Sequence, residues 1–119
     1  MLTYSDRASM NAVEKIEAAI ERLEEMKAKS TPGPWAVEEI PETGECRLLR
    51  EFEFFGHHVE EITSGGSIRE DADLIVTLHR TVDVQLVILG HALNSAKRSM
   101  ERGEVPRGPA LDLAEAILA

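Results

Sequence analysis

Cysteine, aromatic residues and long hydrophobic runs are scarce in this sequence. One cysteine, Cys46, in 119 residues excludes an intrachain disulfide and any metal centre built from several thiolates. Aromatic residues make up 4%, with one Trp, one Tyr and three Phe, so the core must be mostly aliphatic. No apolar run approaches the roughly 20 residues that a membrane-spanning helix needs. Asp6 and Arg7 interrupt the start before the apolar segment of a secretory signal can develop. These absences predict a cytoplasmic protein with no membrane attachment. Positive charge is also short, with 13 Lys and Arg against 22 Asp and Glu, a net charge of −9. That sign disfavours direct binding to nucleic-acid phosphates and points to a partner with a basic surface. The excess is uneven: Met1–Asp71 hold 16 acids and 8 bases, a balance of −8, and Ala72–Ala119 hold 6 and 5, a balance of −1.

What is present predicts one α+β domain over residues 1–119. Hydrophobic content of 43% and charged content of 29% are those of a chain able to bury a core. Val13, Ile16, Ile20 and Leu23 step by 3, 4 and 3, one face of an N-terminal helix from about Ser9 to Lys29. Pro32 and Gly33 stop it. Next comes a predicted three-stranded antiparallel meander, Trp35–Ile40, Arg47–Phe55 and His58–Thr63. In its middle strand Leu48, Phe52 and Phe54 share one parity, with Arg47, Glu51 and Glu53 on the other. Ser67 and Glu70 have capping-box spacing ahead of a long helix that runs to about Arg102. Within it Ile75, Leu78, Val82, Leu86, Leu89, Leu93, Ala96 and Met100 form a nearly heptad stripe. Gly103 can end it, and Ala110–Ala119 form a short C-terminal helix.

The length of that helix is informative. It would span roughly 50 Å at 1.5 Å per residue, against a diameter near 35 Å for a domain of this size. Either Gly90 bends or breaks it, or another chain covers the overhang. Val76, Val84, Val87, Ile88 and Ala92 place apolar surface outside the stripe, which favours burial against more than one neighbour. The expectation is a homodimer joined through Val82, Leu86, Leu89 and Leu93, positions that serve equally as core.

Two motifs carry a resemblance. The stretch Thr31-Pro32-Gly33-Pro34-Trp35, followed later by DADLIVTLHRTVDVQLVIL from Asp71 to Leu89, resembles small proteins of actinobacterial phages and their hosts. In those a Thr-Pro-Gly-Pro-Trp element precedes an acidic β-like stretch, and an Asp-Ala-x-Leu-Ile segment opens a helix. The resemblance implies a phage or prophage accessory protein in a bacterial cytoplasm. It implies no activity and no cofactor.

Chemistry-bearing clusters are few. There is no Gly-x-Ser-x-Gly elbow and no phosphate-binding Gly-x-x-x-x-Gly-Lys loop. Cys46, beside Glu45, reads as structural. His79 and Asp83 have i,i+4 spacing on the long helix, and His58 and Glu60 could join them from the sheet to form a small-ligand or metal pocket. The glutamates of the meander, Glu51, Glu53 and Glu60 among them, could dock a basic protein surface. No residue is assigned a catalytic role. The leading expectation is a non-enzymatic protein that self-associates and binds a host protein. The alternative is a ligand- or metal-binding protein, or an enzyme, built on His58, Glu60, His79 and Asp83. Trp35 is expected to be mostly buried between helices and sheet, with Gly33 chosen to permit a positive φ.

Overall fold

The computed structural model of the chain describes residues 10–53, 55–63 and 68–119. Its elements are α1 (Ala12–Lys29), β1 (Trp35–Glu39), β2 (Cys46–Glu53), β3 (His57–Glu61), α2 (Arg69–Arg80), α3 (Val82–Glu101) and α4 (Pro109–Leu118). The class is α+β. Two compact units emerge: the chain up to Ala28 together with Asp83–Ala119, and Lys29–Val82.

The first unit is helical. Asn11 caps α1 reciprocally: its Oδ1 accepts from the Glu14 N–H at 2.8 Å, and its own N–H donates to Glu14 Oε1 at 3.2 Å. Ile16, Ala19 and Leu23 of α1 are buried, as are Leu89 and Ala96 of α3 and Ala114 and Leu118 of α4. Lys97 meets Glu17 at 3.9 Å and Lys27 meets Asp83 at 2.5 Å, so α1 and α3 run antiparallel. Lys15 ties α1 to Glu115 of α4 at 3.1 Å. Exposed pairs of this kind contribute ~0–1 kcal/mol each, so aliphatic burial does most of the holding. At the end of α3, Gly103 (φ +76°) donates to Met100 and Glu104 donates to Ser99, the paired bonds of a glycine-terminated helix.

The second unit is an antiparallel sheet in the order β1-β2-β3 with α2 on one face. Val37 lies opposite Leu48, and Arg50 lies between Trp35 on β1 and Glu60 on β3. Cys46, Leu48, Ala72 and Val76 form its core, with Trp35, Val37 and Ile62 packed against them. The period-2 pattern of β2 thus aims Leu48 at the helix and Arg47 and Glu51 away from it. The strands begin and end within two residues of expectation. Phe55 leaves the strand for the turn, at φ +52° and 97% exposed, and Phe54 lies outside the described residues.

The long helix is interrupted at Thr81, and it continues through Gly90, which lies inside α3. Thr81 takes φ −90° and ψ −5°, and both its N–H and its Oγ1 bond back to the Leu78 carbonyl, at 3.1 and 2.9 Å. A hydroxyl that competes for helix carbonyls favours such a local turn. The expected cap, Ser67, lies outside the described residues. Ile68 holds the N-cap position of α2, extended and without a side-chain cap bond.

Candidate functional site

The Thr31–Trp35 corner is built around a ring stack. The Gly33–Pro34 bond is cis. The Trp35 indole lies flat on the His79 imidazole of α2, with ring centres 3.6 Å apart and planes within 5°. The indole Nε1 donates to the Thr31 carbonyl at 2.9 Å. One expectation is corrected here. Gly33 does not sit at positive φ; it is needed because a Cβ there would lie 2.8 Å from His79 Cε1. Trp35 is mostly buried, as expected, between the imidazole of His79 and the cluster of Cys46, Leu48, Ala72 and Val76.

That stack also fixes the place of His79 among the expected ligand-binding residues. His58 stacks on Phe52 instead, with centres 5.3 Å apart and planes at 21°. Glu60 accepts from Arg50 Nη1 at 3.3 Å. Asp83 belongs to the helical unit, where it pairs with Lys27. His58 and Glu60 lie on β3, at one edge of the sheet, and His79 stacks on Trp35 of β1, the strand at the other edge. Among the described residues no three His, Cys, Asp or Glu side chains come together as a metal-holding group. Each of the four side chains serves a local packing or ionic contact.

The acidic sheet is less uniformly acidic than its composition. Arg47 hydrogen-bonds Glu38 through Nε at 2.9 Å and also through Nη2, and its Nη1 lies 3.7 Å from Glu61. The Glu38 bond is the main reason that the Arg47 guanidinium titrates above its ordinary value. Arg50 lies 5.0 Å over the Phe52 ring while it holds Glu60. The register splits the expected docking set: Glu60 lies opposite Arg50 on the face carrying α2, and Glu51, opposite Val59, is on the other face. Glu53 shares the parity of Glu51, and its side chain lies outside those described. Glu39, Glu42, Glu45 and Glu51 remain exposed.

Of the expected self-association positions, Leu89 is fully buried within its own chain, and Val82, Leu86 and Leu93 are half-buried. The opposite face of α3 exposes Val84, Val87 and Ile88, at 58%, 57% and 48%. Their spacing, with His91 one turn on, is that of a single helix stripe. Cys46 is a free thiol in the sheet core. Among the described residues no helix is long and apolar enough to cross a membrane. No protein family, curated protein or solved structure matches the chain.

Proposed function

We propose that this chain is a non-enzymatic interaction protein that forms a homodimer through α3 and binds a protein of its host, in the phage-type setting its two motifs imply. One observation carries the reading: α3 is apolar on two opposite faces. Leu86, Leu89, Leu93 and Ala96 face the chain's own core, and Val84, Val87 and Ile88 face out. A helix facing only water on one side ordinarily carries polar residues there. Specific interfaces bury about 600–1,000 Å² per partner. The three apolar side chains supply the centre of such a patch, and His91, Ser95 and Arg98, exposed on the same face, supply its rim.

This moves the interface a half-turn round the helix from the stripe that periodicity alone marks. Sedimentation equilibrium at micromolar protein tests it. The expected result is a dimer that becomes a monomer on Val87→Glu, with far-UV circular dichroism unchanged because Val87 is exposed in the single chain. A wild-type monomer under the same conditions overturns the reading.

A further inference from the structure

β1 is an edge strand, and one hydrogen bond fixes which of its backbone groups face outward. Ile40 donates its N–H to the Glu45 carbonyl at 2.8 Å, continuing the register in which Glu38 faces Arg47 and Ala36 faces Leu49. Bonded residues alternate along an antiparallel pair. Ile40, Glu38 and Ala36 therefore bond to β2, and Glu39, Val37 and Trp35 turn their N–H and C=O groups to the open side. No strand among the described residues takes them up.

α2 runs along this edge in the opposite direction, with His79 on Trp35 and Val76 packed in the cluster that holds Val37. Between them lies an open groove of about 280 Å³, walled by Ala36 and Val37 of the strand and by Arg69, Val76, Thr77 and Arg80 of the helix. Asp73 also lines it and pairs with Arg69 at 3.1 Å. Arg80 is exposed and makes no ion pair among the described residues. In a chain of net charge −9, this is a local cationic spot beside a row of unmade backbone bonds.

We propose that the groove binds an extended segment of a partner protein as a fourth strand on β1, with an acidic side chain of that segment on Arg80. Main-chain bonds to Val37 and Glu39 give the affinity of such strand addition, and alternate side chains give its specificity. A guanidinium fork suits a carboxylate. The whole-chain charge points to a basic partner surface; the groove selects the opposite sign because Arg80 is the local exception. The inference names the partner chemistry of the interaction reading and rests on it. Peptide binding and dimerisation are measured separately, so either can fail alone.

The test uses capped octapeptides of alternating Val and Ser, with Glu or Lys placed at one position at a time, titrated into isotope-labelled full-length protein. Glu peptides should shift the Val37 and Glu39 amides and bind about tenfold more tightly than their Lys counterparts, the size expected of a hydrogen bond between charged groups. The preference should recur only at alternate positions. Arg80→Glu should reverse it. Glu39→Pro, which deletes an outward N–H on an exposed edge position, should weaken every peptide; should that variant not fold, the Arg80→Glu arm decides. Equal binding of Glu and Lys peptides, or a preference that survives Arg80→Glu, overturns the proposal. So does protection of the Val37 amide that grows with protein concentration before peptide is added, because a second copy then fills the edge.

Discussion

At the scale of single residues, the Trp35–His79 stack explains why a glycine separates two prolines. A methyl group on residue 33 would lie 2.8 Å from His79 Cε1 and 3.4 Å from Nδ1. The imidazole must shift on the indole to admit it. Forcing a group into occupied space costs ~1–3 kcal/mol, and an aromatic stack contributes ~0.5–1.5 kcal/mol beyond its buried area. Gly33→Ala should therefore destabilise the protein by about 1–2 kcal/mol. In a His79→Ala background the same change should be close to neutral, because the obstruction is gone. Urea unfolding followed by the lone tryptophan reads both. An equal loss in the two backgrounds would place the role of Gly33 in the backbone and not in the stack. The corner itself was legible in the sequence, since Pro32 ends a helix and Thr-Pro-Gly-Pro turns the chain. The partner of Trp35 was not, because nothing local to residues 31–35 says which side chain of a distant helix arrives opposite them.

At the scale of elements, faces were more legible than ends. The 3- and 4-residue spacing of Val13, Ile16, Ile20 and Leu23 and the alternation of Leu48 against Arg47 follow from helix and strand periods alone; the structure buries Ile16, Leu23 and Leu48, leaves Val13 and Ile20 half-buried, and buries Ala19, which the stripe did not include. Register was not legible: that Arg47 bridges Glu38 and Glu61, and that Glu60 and Glu51 fall on opposite faces, depends on the offset between strands. The break at Thr81 was hidden because the apolar stripe continues on both sides of it. Caps show the same limit. Asn11 and Glu14 have capping-box spacing just as Ser67 and Glu70 do, and the first pair forms its reciprocal bonds while α2 starts from an uncapped Ile68. Asn11→Ala should cost about 1 kcal/mol. Ile68→Asp should stabilise by about 0.5–1 kcal/mol, since the position is already extended, is 59% exposed and has a side chain that makes no cap bond to the helix N–H groups. Thermal or urea unfolding of the two variants decides. A loss on Ile68→Asp would mean that the isoleucine is held by contacts its exposure does not reveal.

At the scale of the whole molecule, α3 carries the largest consequence. Its sequence shows apolar residues on more than one side. Which side the chain covers by itself depends on where α1 and α4 pack, and the structure assigns Leu89 and Ala96 to the core while leaving Val84, Val87 and Ile88 exposed. If those three form a dimer seam, folding and association are linked, and mass action makes stability depend on concentration. Each tenfold rise in protein adds about 1.4 kcal/mol per mole of dimer, enough to raise Tm by a few degrees in a chain of this length. Val87→Glu buries a charge at the seam but leaves the isolated chain's core untouched. Its Tm should be flat with concentration and should meet the wild-type curve at the dilute end. A wild-type Tm that stays constant from micromolar to hundreds of micromolar would argue against the seam. A Val87→Glu curve lying well below the wild type even at high dilution would instead show Val87 supporting the fold of the single chain, and the exposed stripe of α3 would then lose its claim to be an interface.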